Sequence, residues 1–348
     1  MKQDLFTVEI CVSTMHQTDR SLLDTMHLTC KSKLTKQTND AMHGKWEKPK
    51  QGYTHEHVVA ETSEMKCGHE INTENRDDAQ SGTGLFPDKP EVICDILVVN
   101  QCDRDGREEI YTASGKRVLW IDTTQRGLSR SRNLALSQAR ADICLLADDD
   151  MVYRAAVVDI VQTAFSRYDC ADVIGFSVHG IERTFKRYKT RAKRVGYLSS
   201  MKMASVELAI RRKTIRQKGL VFDIKIGAGT QFQMGEENAF LFDALHKHCH
   251  IYFVPQCIAD LHIGQSTWFD GYDRTYFMGK GAAFCAMRTH MLWLLMLQFA
   301  YRHRRLFAAC CTPWQAFLWM LQGAAAYRDC QRQQISQSVP TQHKQKDD

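Results

Sequence analysis

The chain has 348 residues, 46 of them Lys or Arg and 40 Asp or Glu, for a formal net charge of +6. That mild positive balance is spread over several segments; it suits anionic small molecules or a membrane surface and does not demand nucleic acid. Hydrophobic residues at 44% and charged residues at 25% are the proportions of a soluble globular enzyme, long enough for one large domain or two medium ones.

The N-terminal run MKQDLFTVEICV carries Asp4 and Glu9 and lacks a long apolar core, so it does not read as a signal peptide. FTVEICVST, from Phe6 to Thr14, predicts a first strand, β-branched and apolar as buried parallel strands are. From Asp24 to Asp88 the chain turns polar and loses apolar periodicity. A fixed loop of that size is improbable in a compact domain, so residues from about 28 to 88 are expected to be an insertion, partly disordered. A mobile lid over a ligand site is the competing expectation.

EVICDILVVN (91–100) and KRVLWID (116–122) predict two more strands. GLSRSRNLALSQARA (127–141) then predicts a helix started by Ser129 or Ser131, and DICLLADDD (142–150) a fourth strand that ends in three aspartates. A helix over AAVVDIVQTAFSRY and a fifth strand, ADVIGFSV, follow. Strands alternating with helices predict an α/β domain with a mostly parallel sheet, whose ligands bind at the carboxyl ends of the strands. Past residue 262 the chain becomes helical and aromatic. An apolar stretch there closes on Arg302, Arg304 and Arg305, and WQAFLWMLQGAAAYRD predicts a further amphipathic helix. These helices either pack on the main domain or meet a membrane surface. No stretch reaches the roughly 18 apolar residues that span a bilayer. The expected location is cytoplasmic, at most peripheral on the cytoplasmic face of the membrane. The 13 cysteines form no CxxC pair and read as reduced thiols.

Asp148 and Asp150 sit two apart at a strand end, so both side chains can point to one side. Carboxylates so placed suit Mg²⁺ or Mn²⁺ with room left for phosphate oxygens. In GAGTQFQMGEENAFLFDAL, from Gly227 to Leu245, a Gly-rich segment runs into Glu236 and Glu237 at a predicted helix start. There a carboxylate either answers the helix dipole or serves as a general base. His262 follows a short apolar strand and becomes a metal ligand only if it nears the aspartates. His246, His248 and His250 alternate, but no carboxylate or cysteine framework supports them as a metal site.

Taken in order, Ser13–Thr14, Asn100, GLSRSRN, ADDD, GEEN and LHIGQSTW resemble an inverting nucleotide-sugar glycosyltransferase of family 2 with the GT-A fold. The type is that of bacterial capsule, exopolysaccharide and lipopolysaccharide assembly, and the similarity covers roughly residues 5–24 and 91–305. The resemblance implies a Rossmann-like GT-A domain over residues 1–265, a helical region over 266–330 and a polar tail over 331–348. It implies that Thr14 lies beside the nucleotide base and that Asn100 stands where the family usually has an Asp facing uracil. Arg126 and Arg132 would approach the donor's nucleotide or phosphates. Asp148 and Asp150 would form the DxD pair, with Asp150 the direct ligand of Mn²⁺ or Mg²⁺, Asp148 nearer the ribose and Asp149 a donor-side spacer. His262 would help hold the metal or diphosphate, and Glu237 or its neighbour Glu236 would be the base. Trp268 would belong to the acceptor wall.

The implied reaction is metal-dependent transfer of a sugar from a nucleotide sugar, a UDP-sugar by preference, to a hydroxyl of a glycan or lipid-linked acceptor. A nucleotidyltransferase is the alternative enzyme, but STMHQTDRS after the first strand has no glycine. A non-catalytic carbohydrate-binding protein on the same fold is the other, and the intact acidic residues argue against it.

Overall fold

The computed structural model describes residues 6–17, 21–29, 92–263 and 271–338. The expected insertion, beyond residues 28 and 29, and Trp268 lie outside the described residues. After β1 (Val8–Met15) and a short α1 (Leu22–Thr25) come β2 (Asp95–Gln101), β3 (Gly106–Tyr111), β4 (Arg117–Thr123) and α2 (Leu128–Gln138). Next are β5 (Ile143–Asp148), β6 (Met151–Tyr153), α3 (Val157–Arg167), β7 (Val173–Gly180), β8 (Lys193–Arg194) and α4 (Tyr197–Ser200). A 3₁₀ turn at Ser205–Glu207 leads into β9 (Leu208–Arg211), α5 (Arg212–Lys218), α6 (Glu236–His246) and β10 (Ile251–Leu261). Three helices close the fold: α7 (Arg274–Ala286), α8 (Leu292–Arg302) and α9 (Pro313–Ser338). The last continues past residue 330, so the segment expected to be a polar tail begins as helix.

The strands form one sheet in the order β3-β4-β2-β1-β5-β9-β7-β10-β6, with β8 on β10. Pairing is parallel through β4, β2, β1 and β5, as expected, and mixed beyond them, because β9 runs antiparallel between β5 and β7. β9 and the edge strands β3 and β6 have no counterpart among the strands expected from sequence.

The central strands are apolar throughout because both faces are covered. Ile10 and Val12 of β1, Val98 of β2, Trp120 of β4 and Leu145 of β5 point to the face capped by Val161 and Phe165 of α3. Their neighbours Cys11, Val99, Leu119 and Leu146 point to the face capped by Leu136 of α2 and Phe240 of α6. The same side-chain alternation brings polar residues to one rim, since Asp122, Asn100 and Thr14 are register partners across β4, β2 and β1, and Ser13 partners Asp148 on β5. At the opposite rim the fully buried Glu9 accepts from Arg117 Nη1 at 3.0 Å and from the Arg140 N–H at 2.8 Å.

The C-terminal helices share a core in which Phe277 and Phe284 of α7 meet Met296 of α8 and Met320 of α9. α7 and α9 cross at backbone contact. A Cβ on Gly281 would lie 1.9 Å from the Met320 carbonyl oxygen, and one on Gly323 1.9 Å from that of Met278. Gly281→Ala or Gly323→Ala must therefore push the two helices apart, at an expected cost of about 1–3 kcal/mol each. The double substitution should cost less than the sum, because one separation relieves both clashes. Thermal melts of the two single variants and the double variant test this, and unchanged melting in all three would refute the tight crossing.

Candidate active site

The strand-end rim and the start of α6 meet at Arg132. Its position in α2 is set by two local devices. Gly127, at φ 114°, ends the β4–α2 turn and donates its N–H to the Gln101 side-chain oxygen at 2.6 Å. Ser131 Oγ donates to Ser13 Oγ at 2.9 Å and pins the helix to the end of β1. The Gly-rich loop closes on the same helix start: Leu128 N–H donates to the Ala228 carbonyl at 3.0 Å, and Ser129 Oγ to the Ile226 carbonyl at 2.8 Å. Gly227, at φ 104°, lies so close that a Cβ would sit 3.0 Å from Ser129 Oγ and 3.1 Å from the Glu236 carboxyl.

Arg132 is 2% exposed and is spent on neighbouring side chains. Nη1 donates to Glu236 Oε1 at 3.0 Å, while Nη2 donates to Asp148 Oδ1 at 3.0 Å and to Ser205 Oγ at 2.7 Å. Arg132, expected to approach the donor's nucleotide or phosphates, is enclosed between two carboxylates that it positions, and its buried Nε has no partner. It also separates the two glutamates, since Glu236 is buried and paired. Glu237, one residue on, is half-buried, and burial together with the Glu236 charge pushes its carboxyl up to about 8. On α7, Lys280 lies within electrostatic reach of it, and burial lowers the Lys280 pKa against that attraction. α6 is held there by Gly235, at φ 85°, where a Cβ would come within 2.5 Å of Ala283 Cβ on α7.

The three aspartates have different surroundings. Asp148 takes both its Arg132 bonds from Nη2. Asp149 is more than a spacer: it accepts the Thr14 hydroxyl, at 2.5 Å. Thr14, expected to lie beside a nucleotide base, is buried at the end of β1 with its hydroxyl turned to Asp149. Asp150 Oδ1 is buried with no hydrogen-bond partner, and burial with the charges of Asp148 and Asp149 pushes its carboxyl up to about 7.

His262 directly follows β10 beside this cluster, its N–H donating to the Asp150 carbonyl at 3.0 Å. Glu182 engages the ring Nδ1 at 2.9 Å and accepts the Ile263 N–H at 2.7 Å. These two bonds hold the Glu182 carboxyl near 2. A carboxylate on one ring nitrogen leaves the other aimed and available, as it is in metal-binding histidines.

Asn100 is fully buried. Its carbonyl accepts the Gln17 N–H at 3.0 Å, and its amide donates to the Gln17 carbonyl at 2.9 Å and to Asp122 Oδ1 at 2.8 Å. The acceptor expected to face a base is thus occupied by the chain, because it closes the turn after β1. Arg126 pairs with Asp103, while its buried Nη1 has no partner. Among the described residues, no three His, Cys, Asp or Glu side chains form a ready-made metal cluster.

Four residues of the site, Ser205, Glu182, Lys280 and Asp122, were not foreseeable from sequence. Each acts through a contact with a distant segment, and no local motif marks any of them.

The family model of glycosyl transferase family 2 matches residues 89–235. Over those residues the chain resembles a family 2 glycosyltransferase domain. Its sheet and flanking helices have the GT-A arrangement, with the C-terminal helices as an extension. The matched residues include Asn100, Arg126, Arg132 and Asp148–Asp150 and stop just before Glu236. No curated protein sequence matches the chain significantly. Among solved structures it is similar to S. aureus TarS 1–349, at 12% identity over 66% of this chain and 72% of that one, TM-score 0.48. The crystal structure of the same protein with UDP-GlcNAc aligns at 12% identity over 71% of this chain and 84% of that one, TM-score 0.49.

Two outcomes are expected. Arg132→Leu leaves Asp148 and Glu236 without their counter-charge and should cost about 3–5 kcal/mol in denaturant unfolding. Arg132→Lys should recover only part, since one ammonium cannot reproduce a forked guanidinium. The second concerns pH. Asp150 and Glu237 hold protons in the fold that they release in the unfolded chain, so without added cation the protein should lose stability as pH rises from about 4 to about 8. Asp150→Asn with Glu237→Gln should flatten that slope in melts across the range; an unchanged slope would assign it to other groups.

Proposed function

We propose that the protein is an inverting, metal-dependent glycosyltransferase that moves a sugar from a nucleotide sugar to a hydroxyl of a glycan or lipid-linked saccharide in surface polysaccharide assembly. The observation that carries this reading is the unpartnered, buried Asp150 Oδ1 at the strand-end rim of the region that resembles family 2. A carboxylate crowded by Asp148 and Asp149 is unfavourable until a cation arrives. Asp150 and His262 would hold Mn²⁺ or Mg²⁺, with Asp148 beside them. An incomplete protein shell suits such an ion, which keeps waters and takes phosphate oxygens. When bound, it would neutralise charge on the departing nucleoside diphosphate.

The chain's own residues do the rest. Arg126 offers its unpartnered Nη1 to the donor phosphates. Thr14, Asn100 and Asp149 form the floor of the nucleotide site through the groups they hold in place. UDP is the nucleotide assigned to that site, as the resemblance of the strand-end motifs to family 2 implies. Trp268 is assigned to the acceptor wall, since an aromatic face stacks on a sugar ring. The acceptor oxygen attacks the anomeric carbon opposite the diphosphate, forming one C–O bond as the other breaks. Glu237 takes the acceptor proton, with a pKa near neutrality that suits a general base. A single displacement inverts the anomeric centre.

Glu237→Gln should lower transfer by about 10²–10⁴-fold while the donor still raises the melting temperature. Asp150→Asn should abolish the Mn²⁺-dependent part of that shift. A screen of UDP-, GDP- and CMP-sugars by thermal shift and hydrolysis is the direct measurement. If no donor stabilises the wild-type chain with Mn²⁺ present, the transferase reading fails.

A further inference from the structure

The C-terminal helices have two apolar faces, and only one of them is used by the fold. The inner face, with Met296 and Ala300 of α8 and Ala316 and Met320 of α9, packs on α7. The outer face carries Trp293, Leu297 and Tyr301 on α8 and Trp314, Leu318 and Leu321 on α9. The spacings, i, i+4, i+8 and i, i+4, i+7, set each trio along one side of its helix. Trp293 is 59% exposed, Tyr301 64% and Trp314 61%. Nine of the fifteen large apolar side chains exposed among the described residues lie between Met291 and Leu321. A concentration of that kind on two helices in mutual contact marks a contact site.

Charge identifies what covers it. From Arg274 to Arg328 the sequence contains no Asp and no Glu, against seven Lys and Arg. Arg302, Arg304 and Arg305 stand exposed where α8 ends, and the Arg304 guanidinium lies 4.4 Å from the centre of the Tyr301 ring. A second copy of this chain is a poor occupant, because two such faces would bring cations together with no carboxylate to answer them. No described helix is long and apolar enough to cross a membrane. Exposed Trp and Tyr beside arginine, on helices that do not span, match the depth profile of a bilayer interface.

We infer that the outer face of α8 and α9 docks in the plane of a bilayer rich in anionic lipid. Trp293 and Trp314 enter the headgroup boundary, and Arg302, Arg304 and Arg305 meet lipid phosphates. The surface deepens the transferase reading, because a lipid-linked acceptor lies in the same bilayer, but it is tested without transfer.

The experiment is flotation of the full chain with vesicles of phosphatidylcholine alone and of phosphatidylcholine mixed with phosphatidylglycerol. The chain should float with the anionic vesicles, and added salt should weaken the association. Trp293→Ser with Trp314→Ser leaves every charge in place and should reduce binding at least about tenfold, which separates insertion from plain electrostatic adsorption. Arg302→Gln, Arg304→Gln and Arg305→Gln together should remove the preference for the anionic lipid. If the tryptophan variant melts early, insertion is read instead in the unsubstituted chain, whose tryptophan fluorescence brominated lipid should quench. The proposal is overturned if the full chain ignores both vesicles, if the tryptophan variant binds as before, or if brominated lipid quenches nothing. A tryptophan-dependent dimer without vesicle binding overturns it too. A donor-induced melting shift that persists in a chain that does not float would sink the docking surface alone.

Discussion

The active-site end of the fold depends on one buried cation. Arg132 carries its charge into the interior and divides it between Asp148, at the end of β5, and Glu236, at the start of α6. Burying two carboxylates and a guanidinium is costly, and the cost is offset only while the bonds are complete. The interaction therefore acts as a register key. It lets the sheet rim and α6 approach in one arrangement, and Ser205 takes part of the second arm.

Once those charges are matched, the ones left unmatched become conspicuous. Asp149 is satisfied by Thr14, Asp148 and Glu236 by Arg132, and Glu182 by His262 and the Ile263 amide. Asp150 and Glu237 are the acidic groups at this rim that burial and neighbouring carboxylates push toward neutrality, to about 7 and about 8. Titratable groups driven apart from their neighbours by environment are where acid–base and cation chemistry concentrate.

The C-terminal helices belong to this arrangement. Gly235 starts α6 in direct contact with Ala283 of α7, and Lys280 on the same helix faces Glu237 electrostatically. α7 is in turn locked to α9 by the reciprocal approach of Gly281 and Gly323 to opposing carbonyls. The surface left open on the outer side of α8 and α9 is thus rigidly tied to the carboxylate assigned as the base.

Much of the sheet was legible in the chain because parallel strands buried on both faces are continuously apolar, as Ile10–Val12, Ile96–Val99 and Ile143–Ala147 are. β9 leaves no mark in the sequence because four residues carry no period, and β3 because a Glu-rich run has the composition of a loop. At the site, residue type alone announced Asp148–Asp150 and Glu236–Glu237, since charge directly after an apolar strand or at a helix start needs a reason, whereas Arg132 was pointed to only by the resemblance to family 2. The partners that fix these side chains lie 16 to 135 positions away. Arg132 links two carboxylates, Asn100 clasps the turn after β1, and Asp149 accepts the Thr14 hydroxyl. A sequence records which charges a chain owns; only folding, by removing water and choosing neighbours, determines which of them are neutralised and which remain to meet a ligand.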